Sequence, residues 1–221
     1  MSLRQVLLII GIFILVVPFG TLSASGTKTV LVTGFEPFGS YTTNPSQVVA
    51  ETLNGSTLTD AEIIGIVLPV NFTTSVERVI AAIEQYDPDI VISLGLNAKS
   101  HVIEVEKIGF NVKRYPKDDG TWSFPQRIEK NGPFIRLTSL NTQDIARIMQ
   151  QAHIPAKQSF FAGTYVCNAV FYGVLGYTKS QDLNTSVGFI HVPLLDSQDP
   201  QGLPVEALVD AVKIAIEASL G

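Results

Sequence analysis

The chain has 221 residues, of which 46% are apolar and 16% charged, and its formal net charge is −5. This length fits one ordinary domain, and the apolar balance excludes an intrinsically disordered chain. No cluster of lysines and arginines provides the basic footprint of a nucleic-acid-binding protein, so we expect no nucleic-acid partner.

The first 25 residues differ from the rest. Arg4 precedes an unbroken apolar run over residues 6–17, and small residues follow it. This pattern predicts a secretory signal peptide over residues 1–25, because a spanning helix needs about 20 apolar residues. Leu22 is not small, so an uncleaved membrane anchor is the alternative. We therefore expect a single domain over residues 26–221 that is secreted or otherwise extracytoplasmic, or is anchored by its N-terminus.

Strand and helix patterns alternate in the first half of the remaining chain. Apolar runs without helical spacing predict buried strands, and apolar residues at every third or fourth position predict helices. Asn44 followed by Pro45 is typical of a helix start. The predicted elements are a strand over 29–33, a helix from 44 to 54, a strand over 63–70, a helix over 74–86 and a strand over 89–96.

The second half continues the alternation after an irregular stretch. Residues 102–112, together with 113–120, predict a hairpin or bent strand at one edge, and residues 122–141 receive no assignment. The remaining predictions are a helix over 142–152, a strand over 158–162, a helix over 168–175, a strand over 187–191 and a helix over 205–220.

Such alternation predicts an α/β fold, namely a three-layer α/β/α sandwich with a largely parallel, twisted central sheet plus an edge hairpin. Ligands of such folds bind beyond the carboxyl ends of the strands.

Cys167 is the one cysteine of the chain, so an internal disulfide and zinc sites built on paired cysteines are excluded. It lies after a predicted strand and at the start of a predicted helix. A helix N-terminus favours the thiolate form and offers free N–H groups to an oxyanion. Cys167 is therefore a candidate nucleophile, and a small buried core residue is the alternative interpretation.

The base of a thiol nucleophile is sought among three histidines. His191 ends an apolar strand, at the rim where Cys167 is expected, and could take and return a proton. His153 lies near a helix end, where a solvated role is more typical. His101 begins the irregular segment and is the weaker candidate.

A third group usually orients such a histidine. The residues alone do not choose among the acidic candidates near strand ends, which are Glu104, Glu106, Asp118, Asp119 and Asp196. The spacing of His101, Glu104 and Glu106 matches no metal motif, and we expect no metal.

Four motifs, in order and with matching spacing, resemble those of pyroglutamyl peptidase I, cysteine peptidase family C15. They are residues 30–39 followed by 44–46, residues 106–111, residues 163–168 and residues 188–193. The similar region extends from about residue 29 to residue 193 and so covers most of the chain.

The resemblance implies a Cys167, His191 and Glu106 triad that removes N-terminal pyroglutamate from peptides through an acyl-enzyme, without a cofactor. The partner would be a peptide with a blocked N-terminus, and family members often form homo-oligomers. Asn168 and Arg114 match positions expected to support the site. Aromatic and aliphatic walls suit the small uncharged lactam ring, and the matching pocket positions are Phe35, Phe38, Val70, Leu96, Tyr165 and Val166.

Two departures from the family pattern bear on substrate choice. Residues 95–100 read Gly-Leu-Asn-Ala-Lys-Ser instead of a Gly-Gln-Ala-Gly-Gly-Arg-like stretch, and Lys107 stands where arginine is usual. The alternatives are therefore the same triad acting on another amide or cyclic substrate, or a non-catalytic binding protein on this scaffold.

Overall fold

A computed structural model of the protein describes residues 26–220. Within these residues the chain forms nine strands. The predicted signal peptide or anchor over residues 1–25 lies outside the described residues. The strands are β1 (Lys28–Phe35), β2 (Thr57–Leu58), β3 (Ala61–Leu68), β4 (Ile90–Leu96), β5 (Ile103–Glu106), β6 (Ile108–Phe110), β7 (Ile135–Leu137), β8 (Ala156–Ser159) and β9 (Ser186–Val192).

Seven of these strands form the central sheet in the order β2-β3-β1-β4-β9-β5-β8. Neighbours pair in parallel except at two places, where β2 runs antiparallel to β3 and β5 runs antiparallel to β9. The prediction of a largely parallel central sheet is confirmed.

Five helices cover the two faces of the sheet. Helices α1, α3 and α5 share one apolar cluster with the sheet, whereas α2 and α4 share the other, which confirms the predicted three-layer sandwich. They are α1 (Pro45–Leu53), α2 (Thr74–Tyr86), α3 (Thr142–Gln151), α4 (Val166–Ser180) and α5 (Val205–Leu220). No helix within residues 26–220 has both the length and the apolar character needed to cross a membrane.

Alternation along the strands explains why both faces are apolar. In β1, Val30 and Val32 enter the cluster of α1, α3 and α5, whereas Leu31 and Phe35 enter the opposite cluster. Successive side chains of a strand point to opposite faces, so an unbroken apolar run fits a strand that is covered on both sides.

The segment predicted as a bent strand or hairpin at one edge does bend, but its first part lies inside the sheet. Strand β5 has β9 on one side and β8 on the other. The chain then leaves the sheet at Lys107, and β6 pairs with β7 from the unassigned stretch. The hairpin itself lies outside the central sheet, with antiparallel bridges from Lys113 to Gln126 and from Pro116 to Trp122.

Two predicted boundaries near the site were displaced. The strand predicted over 158–162 lies at Ala156–Ser159, because Phe160 and Phe161, which suggested a buried run, are 57% and 59% exposed. Helix α4 begins at Val166, two residues earlier than predicted. Cys167 is consequently the second residue of the helix.

Candidate active site

Cys167 lies in the first turn of α4, beyond the carboxyl end of the sheet. Gly163, with a φ of +78°, turns the chain from β8 toward the helix. Tyr165 at the N-cap makes no side-chain capping hydrogen bond, and the first N–H groups of a helix have no partner within the helix. The half-buried thiol therefore lies beside backbone donors that could bind an oxyanion.

His191 lies near the carboxyl end of β9 and is 6% exposed. Its Nδ1 is 2.8 Å from Oε1 of Glu106, whose side chain is completely buried. Glu106 ends β5, which pairs with β9. The buried carboxylate fixes the ring orientation and favours the protonated ring, the two effects that a third catalytic group is expected to have.

The charge balance around His191 favours the imidazolium. Burial lowers the pKa of the ring, but interaction with Cys167 and Glu106 outweighs it and raises the pKa of His191 to about 10. Burial, assisted by the charge of Cys167, also raises the pKa of Tyr165. A thiol, an imidazole and a carboxylate are thus brought together and coupled electrostatically.

Gly95 leaves the space on the sheet that the Cys167 thiol occupies. It lies on β4 directly opposite His191 in the strand register. A Cβ at this position would lie 2.8 Å from Cys167 Sγ and 2.9 Å from Phe189 Cζ. The missing side chain therefore lets the first turn of α4 approach the imidazole. Gly95 is not among the site residues predicted from the sequence, although a glycine inside a buried strand is a signal of close approach.

A second carboxylate, Glu104, faces His191 across the β5–β9 pair. One ligand atom from each of Glu104, Glu106 and His191 lies within 4.8 Å of the others, and these three side chains could in principle hold a metal ion. His191 and Glu106 already bind each other, however, and Glu104 binds neighbours of its own. Asn97 Nδ2 donates to Glu104 at 2.7 Å, and Lys157 Nζ lies 3.0 Å from its other oxygen.

Four of the six predicted pocket residues belong to the same apolar cluster as Cys167 or pack against it. Phe35 and Val166 are buried in the apolar cluster of α2 and α4, and Val70, Tyr165 and Cys167 itself pack against it. The other two lie elsewhere: Phe38 follows β1 with its ring 6.3 Å from that of Tyr41, and Leu96 ends β4 beside Gly95.

Three aromatic residues outside the predicted set, Phe72, Tyr115 and Trp122, extend the apolar surface around Tyr165. The ring centroid of Phe72 lies 5.2 Å from that of Tyr165 and 4.5 Å from that of Tyr115, and Trp122 lies 5.6 Å from Tyr165. Tyr115 and Trp122 belong to the 113–126 hairpin, of which residues 113–120 are part of the predicted hairpin or bent strand, whereas Trp122 lies in the unassigned stretch. The hairpin thereby reaches the N-terminal end of α4.

Asn168 and Arg114, the predicted supporting residues, both tie the hairpin region to α4. The buried Asn168 side chain accepts from the N–H of Phe110 and donates to the carbonyls of Phe110 and Val112. The N–H of Arg114 donates to the carbonyl of Thr164, and its Nε donates to the carbonyl of Ser123. These contacts hold the segments around the site in position.

The remaining sequence candidates are not brought to the site by the contacts observed. Two histidines, His101 and His153, are exposed, and three acidic candidates, Asp118, Asp119 and Asp196, are exposed as well. Of the five acidic candidates for the third group, only Glu104 and Glu106, both on β5, lie close to His191.

A thiol at a helix N-terminus, beside an imidazole that a buried carboxylate orients, is the arrangement of a cysteine-dependent hydrolase. The pyroglutamyl peptidase family model, Peptidase_C15, matches residues 28–221. The chain belongs to that family.

Relatives and solved structures agree with this membership. The chain is 36% identical over 197 residues to the pyrrolidone-carboxylate peptidase of Vibrio campbellii, covering 86% of this chain and 92% of the relative. The solved pyrrolidone carboxyl peptidase of Thermococcus litoralis has a TM-score of 0.81 and 33% identity, with 87% and 93% covered. Pyroglutamyl peptidase I of Bacillus amyloliquefaciens has a TM-score of 0.81 and 32% identity, with 88% and 98% covered.

Proposed function

We propose that the protein removes N-terminal pyroglutamate from peptides through an acyl-enzyme on Cys167. The observation that carries the proposal is the 2.8 Å contact between His191 and buried Glu106, beside the thiol at the start of α4. Membership in the pyroglutamyl peptidase family, and relatives named for this activity, indicate the substrate.

The first step is attack on the pyroglutamyl carbonyl. The Cys167 thiolate forms a bond to the carbonyl carbon, and the carbonyl electron pair moves to oxygen. Open N–H groups in the first turn of α4 stabilise this oxyanion. His191, held protonated by Glu106, then gives its proton to the leaving nitrogen as the C–N bond breaks. The shortened peptide departs with a free amino group.

The second step hydrolyses the thioester. Neutral His191 takes a proton from water as the water oxygen attacks the acyl carbon, and the C–S bond breaks. The products are 5-oxoproline and the Cys167 thiolate beside a protonated His191. Protons balance over the cycle, and no further reactant besides water is needed.

The apolar wall around Cys167 suits the proposed substrate. Pyroglutamate is a small uncharged ring, and the partly buried Val70 and Tyr165 offer aliphatic and aromatic surface, backed by the buried Phe35 and Val166. A blocked amino end carries no ammonium group, so the pocket needs no carboxylate to bind one.

Hydrolysis of a fluorogenic pyroglutamyl amide by the purified protein tests the proposal, beside Cys167→Ala and Glu106→Gln. We expect turnover in the wild type and none above background in Cys167→Ala. Full activity in Cys167→Ala would refute Cys167 as nucleophile. A panel of other amino-acid amides belongs in the same assay, since preference for another acyl group would favour the alternative of a changed substrate. The altered loop over residues 96–100, beside the site, motivates that alternative.

We also propose that the protein self-associates through the outer face of β7. Four apolar side chains are exposed here: Phe134 (65%), Ile135 (42%), Leu137 (55%) and Phe161 (59%). The rings of Phe134 and Phe161 both contact the ring of Phe110. Within the described residues β7 pairs only with β6, so an open strand edge adjoins this apolar patch. Light scattering after size exclusion should show an oligomer that Leu137→Lys dissociates. A monomeric wild type at micromolar concentration would refute the proposal.

For localisation, we propose export by residues 1–25, on the strength of the basic start and the apolar run after it. Cell fractionation and N-terminal sequencing of the protein test this. Cleavage near residue 25 supports a signal peptide, an intact N-terminus in the membrane fraction supports an anchor, and an intact N-terminus in the cytoplasm refutes both.

A further inference from the structure

Glu104 is a nearly buried carboxylate that the mechanism above does not use. It is 9% exposed and lies opposite His191 in the antiparallel β5–β9 pair. Directly opposed side chains of such a pair lie on the same face with their Cβ atoms about 5 Å apart. His191 therefore meets two carboxylates from one strand, with Glu106 bound to Nδ1 and Glu104 close beside the ring.

The surroundings of Glu104 hold it ionised and fixed in place. Asn97 Nδ2 donates to one oxygen, and Lys157 Nζ pairs with the other. Burial opposes the charge of Glu104, but these two contacts and the charge of His191 outweigh it and lower the pKa of Glu104. The backbone N–H of Asn97 also donates to the carbonyl of Val192, the residue after His191.

We propose that Glu104 is a positioning residue of the active site, a second carboxylate whose charge lies close beside the His191 ring and whose hydrogen bond with Asn97 links β5 to the loop after β4. The inference rests on the proposed function only in naming the reaction that His191 serves. Asn97 belongs to residues 95–100, where the sequence departs from the family pattern. The bond from Asn97 to Glu104 therefore couples His191 to a loop that differs from the usual family sequence.

The charged groups that face His191 are few, so their contributions can be separated. Cys167 interacts with it from α4, with Tyr165 beside the thiol, and Glu106 binds it from β5. Glu104, also on β5, lies opposite it in the strand register and close to the ring. From β8, Lys157 acts through Glu104. The β4 neighbours Gly95 and Leu96 carry no charge.

The test is the titration midpoint of the His191 ring, measured by NMR in the full protein. The chain has three histidines, and a His191→Asn spectrum assigns the signal. Removing an opposite charge within about 4–6 Å lowers such a midpoint by about 1–3 units. For Glu104→Gln we expect a fall of about one unit, at the low end because Lys157 offsets part of the charge. The basic limb of kcat/KM on a pyroglutamyl amide should fall with it.

Lys157→Gln provides the opposite perturbation on an exposed side chain. Without the lysine, Glu104 acts on His191 undiminished, so the midpoint should rise. Asp89→Asn is the matched control, because Asp89 pairs with Lys28 at the far end of the sheet, and it should leave the midpoint unchanged.

Three results would overturn the proposal. They are an unchanged or raised midpoint in Glu104→Gln, an unchanged or lowered midpoint in Lys157→Gln, and a shift of equal size in Asp89→Asn. If Glu104→Gln fails to fold, Lys157→Gln alone decides the matter. A shifted midpoint in a protein that cleaves no pyroglutamyl amide would leave this inference standing and refute the proposed function.

Discussion

Gly95→Ala is the substitution that most directly tests whether the nucleophile depends on a missing side chain. The added Cβ would lie 2.8 Å from Cys167 Sγ and 2.9 Å from the ring of Phe189. Non-bonded heavy atoms prefer about 3.5–4.0 Å. Phe189 is completely buried and packs on Phe171, so it has little room to yield. The thiol must therefore move away by roughly 1 Å.

The magnitude of the effect follows from that displacement. A misplacement of about 1 Å at a reacting group costs about 10²-fold in rate, which corresponds to about 2.7 kcal/mol of activation free energy. Overpacking a filled core lowers the free energy of unfolding by about 1–3 kcal/mol. We expect Gly95→Ala to remain folded, with kcat/KM for a pyroglutamyl amide reduced about 100-fold.

The assay measures kcat/KM and urea unfolding for Gly95→Ala beside Gly173→Ala. Gly173 lies in the same helix as Cys167, and its added Cβ would lie 2.9 Å from Cγ1 of Val76, a similar approach away from the thiol. The control should keep its activity. Wild-type kcat/KM in Gly95→Ala, or an equal loss in both variants, would show that the contact with Cys167 does not control the rate.

Three further predictions concern the residues around the thiol. Glu106→Gln keeps the shape but removes the charge beside His191, so kcat should fall about 10²–10⁴-fold while circular dichroism is unchanged. Asn168→Ala removes three hydrogen bonds to β6 and the residues after it, so the free energy of unfolding measured in urea should fall by about 2–4 kcal/mol. The control Asn141→Ala, which removes the exposed N-cap side chain of α3, should lower it by about 1 kcal/mol. Because the pKa of His191 is raised from 6.5 to about 10, its protonated form stabilises the fold fully below pH 6.5, and this contribution is lost as the pH rises through 10. The stability difference between wild type and His191→Asn should therefore shrink over that range in urea titrations.

Local pattern was sufficient to predict where two of the chemical groups lie. Cys167 follows a strand and starts an apolar helix, and His191 ends an apolar strand, so both belong to the carboxyl edge of a parallel sheet. Each of these statements depends on a few neighbouring residues. The layered fold follows from the same periodicities, since apolar runs and helical stripes are properties of short windows.

Pairing between distant segments explains what the residues alone could not predict. Choosing Glu106 among five acidic residues requires knowing that β5 lies between β9 and β8, 80 or more residues away from β9 in the chain. The pairing of β6 with β7, which brings together the two ends of the intervening hairpin segment, likewise depends on residues well separated in the chain. Phe160 and Phe161 show the converse error, because exposed aromatics imitate the pattern of a buried strand.

The antiparallel register of β5 is what gives the base its two carboxylates. Glu104 and Glu106 are two residues apart and so share the face of His191, whereas Val105 between them enters the cluster of α1, α3 and α5. A slip of one residue would place Val105 beside His191 and bury both carboxylates among apolar side chains. Such burial of unpaired charge costs several kcal/mol for each ion. The energy that excludes the wrong register of β5 is therefore the same energy that places the two carboxylates beside the His191 ring.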